Sequence, residues 1–232
     1  NTTEQKITVV YKKLCKELIS DVNSILEIDE SDKVLGHELF QGGDKEVYNM
    51  STDIFVVDTP FLIEKLEEEA AKEEPRKLRY VLRDLAVAEN AFAYEYTGYL
   101  SNIHSVKAYF DANLDMLESQ KFYSLFAPNQ KVYTKVKNEE PTYYATSSEV
   151  KRSQFASGSI VRGKVENSVI SRNVDLSEGS SVSHSILFPR VNVAKGATVE
   201  YAIVDKGVEI AEGVTIRGTE NNPVVIKKGS VV

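Results

Sequence analysis

The sequence holds one cysteine, three histidines and no surplus of positive charge among its 232 residues. Cys15 has no second thiol to pair with, so an internal disulfide is excluded, and the usage fits a reducing, cytoplasmic setting. With 28 Lys and Arg against 35 Asp and Glu, the net charge is −7. That balance argues against a dedicated nucleic-acid binder, because phosphate contacts need a basic surface. No stretch of eighteen apolar residues occurs and the chain does not open on an apolar leader, so neither a membrane span nor a signal peptide is expected. The first residue is Asn rather than Met, which reads as a trimmed chain or a piece of a longer one.

Catalytic signatures are equally scarce. The only glycine pair, in "QGGDK" (41–45), does not fall between a strand and a helix as a phosphate-cradling loop must. Gly42 and Gly43 are therefore read as a hairpin turn. His37, His104 and His184 share no metal-ligand spacing with one another or with Cys15. No G-x-S-x-G elbow is present, and no catalytic residue is assigned.

What the sequence does contain is a repeat. Val174 matches Val191, Leu176 matches Val193, Gly179 matches Gly196 and Val182 matches Val199, each at an offset of 17 (191 − 174). "VENSVI" (165–170), "VSHSIL" (182–187) and "VEYAIV" (199–204) keep the same offset. Within a copy the apolar positions fall near six apart, the signature of a parallel β-helix built from hexapeptides. Leu, Ile or Val points inward to stack on its equivalent in the next coil, and Gly sits where the chain must turn without a Cβ clash. The array is expected to run from about Glu149 to the C-terminus in four or so coils. His184 aligns with Asn167 and Tyr201 of neighbouring coils and is read as an outward surface residue rather than a general base. A stacked helix of this kind leaves strand edges at its ends, which suggests oligomerisation.

The first 128 residues read as an α/β layer domain. "ITVVYK" (7–12) is a buried strand, and "SILEIDESDKVLGHEL" (24–39) a hairpin around a polar turn. A strand ending near Asp58 precedes a helix with Thr59 at its N-cap and Pro60 at the first helical position. Leu62, Leu66 and Ala70 line one face of it, and Glu67 to Glu69 its solvated side. A helix over 77–89, a strand over 91–99 and a helix over 105–118 follow. Residues 129–148 are read as a linker and 149–232 as the β-helix.

"MSTDIFVVDTPFLIEKL", "YLSNIHSVKAYFDANLDML" and the hexapeptide array together resemble bacterial glucose-1-phosphate adenylyltransferases, the ADP-glucose pyrophosphorylases. The resemblance implies the later part of a Rossmann-like nucleotidyltransferase domain followed by a left-handed β-helix, with the first part of the catalytic domain missing. It also exposes departures. The family's W-R-D-V-G-T segment, whose Asp helps hold Mg²⁺, falls on residues 100–105 and puts Asn102 under that Asp. The family's S-M-G becomes Ser51, Thr52 and Asp53, placing a carboxylate where a sugar phosphate is expected. Its F-G-x-D-I-I-P stretch is reduced to "VLRDLA" (81–86).

Ser51, Asp53 and Asn102 thus mark a degenerate sugar-phosphate and metal pocket, and the resemblance implies the noncatalytic, GlgD-type regulatory subunit. Such a subunit would join a catalytic partner in a heterotetramer, or pair with itself as a homo-oligomer when isolated. It would meet ATP and glucose 1-phosphate only through the partner, which would also hold the Mg²⁺; no cofactor is expected on this chain, nor nucleic acid or membrane. Arg152, Arg162, Lys164 and Arg172 on the first coils are candidates for an anionic effector, against a solvated surface. The alternatives are a competent nucleotidyltransferase and a hexapeptide acyltransferase resting on His184.

Overall fold

The computed structural model of the chain describes residues 5–127, 129, 131–135 and 137–232. Two compact units part between Gly98 and Tyr99. The first carries a mixed five-stranded sheet of β1 (Ile7–Cys15), β2 (Ser24–Ile28), β3 (Val34–Leu39), β4 (Val47–Val57) and β5 (Phe92–Glu95), in the order β3-β2-β4-β1-β5. Only the β1–β5 pairing is parallel; β1 meets β4, and β2 meets β3 and β4, antiparallel. Ile7, Val9 and Tyr11 alternate into the core, as strand periodicity demands, and meet Leu26, Val34, Ala86 and Ala93.

The expected hairpin forms between β2 and β3, where Asp29 Oδ1 accepts the Ser31 and Lys33 N–H groups at 2.8 Å each. Gly42 and Gly43 are not a hairpin turn. They sit between β3 and β4, which are separated in the sheet by β2, so the segment is a crossing connection. Gly43 has φ +147°, and a Cβ there would clash with the Tyr48 hydroxyl.

Helix α1 (Thr59–Ala70) is capped one residue earlier than expected, by Asp58, whose Oδ1 accepts the Phe61 N–H at 3.0 Å. Its buried residues are Phe61 and Glu69 rather than the Leu62–Leu66–Ala70 face. Glu69 is no solvated charge. Its carboxylate takes Arg76 Nε at 3.0 Å, Arg76 Nη2 at 3.1 Å, the Arg76 backbone N–H at 2.9 Å and Lys72 Nζ at 2.5 Å. Those donors hold its carboxyl well below the usual carboxylate range. Helix α2 (Leu78–Ala88) lays Ala86 against the strands, with Leu82 and Leu85 packed beside it.

The second unit begins at Tyr99, so α3 (Val106–Leu114) and α4 (Ser119–Leu125) belong with the coils, where the sequence reading placed them in the α/β domain. Its three parallel sheets each hold five short strands, the architecture the hexapeptide spacing predicts. The 17-residue offset is the literal register: Val165 pairs with Val182, Val182 with Val199 and Val199 with Ile216. Leu176, Val193 and Ile210 stack likewise. The first strand of the array, Tyr143–Tyr144, already pairs with Ile160–Val161.

Left-handed backbone marks the corners of the coils. Gly179, Gly196 and Gly213 (φ +75°, +69°, +71°) form one column, and Arg152, Asn167, His184 and Tyr201 (φ +43° to +48°) another. Glycine suits such corners because it has no Cβ to clash. No helix among the described residues is long and apolar enough to cross a membrane.

Candidate functional site

In the first unit, the antiparallel ladder between β1 and β4 breaks at one point. Val10 pairs with Ile54 and the next residue, Tyr11, with Ser51, so Thr52 and Asp53 bulge out of β4. The bulge is fastened by the Thr52 hydroxyl donating to Val10 O at 2.9 Å, and by the Asp53 N–H donating to the buried Ser51 Oγ at 3.3 Å. Asp53 has φ +55°, a conformation that Asp tolerates better than most residues.

This bulge aims the Asp53 carboxylate at α2. Arg79 and Arg83, four residues apart on one helix face, both reach it: Arg79 Nη2 lies 2.9 Å from Oδ2, and Arg83 Nη2 lies 3.1 and 3.2 Å from Oδ1 and Oδ2. Arg83 is buried, whereas the Asp53 side chain keeps 39% of its surface. Both guanidiniums lie over Tyr80, at 5.8 and 6.0 Å from its ring centre. His37 on β3 stacks on Phe55, and both its ring nitrogens are buried without a partner. Burial first, and the nearby Arg83 charge second, lower its pKa to about 4. The imidazole is therefore neutral at neutral pH.

The structure thus joins Ser51 to Asp53 and adds Arg79, Arg83 and His37, which sequence reading did not select. Arg79 and Arg83 left a trace in the sequence as an i, i+4 pair, but their target lies on a strand whose register to the helix is a tertiary fact. Asn102 falls in the second unit, in the loop before α3, where its carbonyl accepts the His104 N–H at 3.1 Å. Among the described residues no three Asp, Glu, His or Cys side chains gather in a way that could hold a metal ion. A hard divalent ion favours carboxylate oxygens, whereas Asn102 offers only a neutral amide.

The four basic effector candidates are each already engaged. Arg152 pairs with Glu118 at 3.3 Å, Arg162 with Asp175 at 2.8 Å, Lys164 with Glu149 at 2.9 Å and Arg172 with Glu139 at 3.2 Å. Each is held in a separate ion pair with its own carboxylate.

His184 lies outside the inner core of the coils, as an outward residue should, but it is not simply exposed. It is half-buried and lines a groove of about 560 Å³ between the coils and α3, together with Asn167, Tyr201, Phe110 and Lys107. Its ring lies on that of Tyr201, centroids 4.7 Å apart and planes 15° from parallel, and its Nε2 is 3.2 Å from Asn167 Nδ2. The 4.7 Å separation is the spacing of adjacent strands, so the coil geometry itself creates the stack. Phe110 of α3 is buried against Ile186 and Ile203, which point outward beside the inward Leu187 and Val204. The doubled apolar residues in "SIL" and "AIV" were the sequence signal for a helix covering that sheet.

Comparison with known proteins agrees with this architecture. Residues 136–223 match the family model of the GlmU-like, C-terminal hexapeptide. The chain is 34% identical over 194 residues to the glycogen biosynthesis protein GlgD of Bacillus subtilis, covering 84% of this chain and 54% of that protein. It is 54% identical over 120 residues to the GlgD protein of Geobacillus stearothermophilus, covering 52% of this chain and 35% of that one. A glucose-1-phosphate adenylyltransferase of Clostridium acetobutylicum is 30% identical over 150 residues, 63% of this chain and 39% of the enzyme. The chain thus spans about half the length of the Bacillus relative, and less of the other two. A mixed α/β sheet, a β-helix in 17-residue register and these likenesses place the chain in the family of GlgD proteins and glucose-1-phosphate adenylyltransferases.

Proposed function

We propose that the chain serves as a regulatory or auxiliary subunit of glucose-1-phosphate adenylyltransferase. It supports ADP-glucose synthesis from ATP and glucose 1-phosphate for glycogen formation without catalysing the transfer itself. The observation that carries this reading is Asp53. At the position where the family resemblance expects a glycine beside a sugar phosphate, the bulge presents a carboxylate fixed by Arg79 and Arg83. A second anion brought there would meet like charge in a site whose cations are already engaged. The names of the GlgD relatives, which are glycogen biosynthesis proteins, support the same assignment.

In this reading the β-helix is an assembly element. Its stiff coils carry α3 on one sheet and offer strand edges at both ends, and the partner is the catalytic subunit, in a cytoplasmic heterotetramer that takes its Mg²⁺ in the catalytic site. The test is pyrophosphate release from ATP and glucose 1-phosphate. The full-length protein is assayed alone and then mixed with a catalytic glucose-1-phosphate adenylyltransferase from the same cell. No turnover alone and a raised rate in the mixture are expected. Robust turnover by the protein alone would show that Asp53 and Asn102 are tolerated in a working enzyme, and would overturn the proposal.

A further inference from the structure

Asp53 uses only half of the donor fork that Arg83 offers. Both of its oxygens approach the same terminal nitrogen, Nη2, while Arg83 Nε is buried and has no partner. A guanidinium presents parallel N–H groups that match two oxygens of one anion, and buried polar groups are rarely left unpaired. The left-handed backbone of the bulge sets where Asp53 can reach, and from there it meets the end of the fork and not its side.

Arg79 Nη2 adds a third donor on the same carboxylate. His37, with two buried and unpartnered nitrogens, belongs to the same neighbourhood through its interaction with Arg83 and Asp53. Two guanidiniums therefore surround a single carboxylate that supplies one negative charge and is itself half-exposed.

We propose that Arg83 and Arg79 form a binding site for a small tetrahedral oxyanion of the phosphate or sulfate class, and that the Asp53 carboxylate occupies this site as an internal ligand. A tetrahedral oxyanion has oxygens enough to take Nε and Nη2 of Arg83 together while keeping Arg79, which the tethered carboxylate does not do. Asp53 is the movable member, because its side chain borders solvent, whereas Arg83 is buried. The site is closed in the native protein and opens when the carboxylate leaves.

This inference deepens the functional reading, since it concerns the same Asp53, but its test needs neither a partner nor turnover. The purified protein and its Asp53→Ala variant are titrated with inorganic phosphate and, separately, with sulfate. Calorimetry and thermal midpoint are the readouts, with chloride as the control at matched ionic strength.

Removing a like charge at hydrogen-bond range should tighten oxyanion binding roughly tenfold or more relative to the native protein. In chloride the variant should melt below the native protein, and phosphate or sulfate should restore its midpoint saturably. Adding Arg83→Met to Asp53→Ala should abolish the binding. Should Asp53→Ala fail to fold, Asp53→Asn, which keeps the size and one acceptor, is titrated in its place. Equal responses of native and variant proteins to phosphate and to chloride would overturn the proposal, and so would binding that survives loss of Arg83. Silence of the protein in the pyrophosphate assay would leave this result untouched, and the reverse also holds.

Discussion

The hydroxyl of Ser168 accepts a hydrogen bond from the backbone N–H of Ser185, one coil further on, at 3.1 Å, and both residues are wholly buried. The relationship repeats: Ser185 Oγ accepts the Ala202 N–H at 3.1 Å, and Ser153 Oγ the Ser168 N–H at 3.2 Å. Ser168 and Ser185 each donate their own proton to a carbonyl two residues earlier, at 2.7 Å. A column of serines thus bridges coils at a corner where neighbouring backbone groups cannot pair directly.

Loss of either buried serine hydroxyl strands a backbone N–H. Ser168→Ala and Ser185→Ala are each expected to destabilise the protein by about 1–3 kcal/mol, the cost of a buried donor without an acceptor. The urea midpoint, read by far-UV circular dichroism, measures it. Ala202 ends the column without such a hydroxyl, so Ala202→Ser should bring no comparable gain. A neutral Ser185→Ala would mean that water takes over the bond and that the column adds little.

Phe110 is the anchor of α3 on the coils. Its ring is buried against Ile186 and Ile203, while the inner core of Leu187 and Val204 lies on the other side of the same strands. Phe110→Ala should cost about 3–5 kcal/mol of local stability, the range for deleting a buried aromatic ring. Hydrogen exchange should rise across 106–125 while the amides of 181–204 stay protected, because the coils retain their own core. Exchange rising equally in both segments would instead show that helix and coils unfold as one cooperative body.

The repeat was legible because its physics is local and periodic. An inward aliphatic every sixth residue and a glycine at a corner follow from the coil alone, and the offset of 17 became the strand register without alteration. The first unit was legible in its elements and not in their pairing. A hairpin between β2 and β3 follows from two apolar runs around a polar turn, but the connection through Gly42 and Gly43 crosses β2, and only the sheet order shows that. Asp58 displaced Thr59 as the cap because either residue type can accept the Phe61 N–H, and the strand's last residue decides which is placed to do so. Glu69 read as solvated because Arg76, its partner, lies beyond the helix end in sequence and returns to it in space. Asp53 was visible as a misplaced charge, whereas its two arginines were not, since a bulge and a helix face had to be brought together first.

His37 supplies a pH dependence with a definite sign. Its pKa in the folded protein is about 4, below the ordinary 6.5, because burial and then the Arg83 charge disfavour the imidazolium, against weaker opposing pulls from Asp53 and Asp84. Between those two values the unfolded chain binds a proton that the folded chain does not, so stability falls as the pH drops through that window. The contribution is complete above pH 6.5, declines between about 6.5 and 4, and changes no further below. Glu69 acts lower down, since its depressed carboxyl contributes stability that is lost only as pH falls beneath its ordinary value of 4.5. The urea midpoint of the native protein should therefore already decline between pH 6.5 and 5. His37→Phe, which keeps a ring against Phe55 and removes the titrating group, should flatten that part of the profile and leave the acid limb below pH 4.5 in place. An unchanged slope in His37→Phe would assign the decline to another group, and would mean that the unpartnered imidazole is hydrated and free to take its proton in the folded state.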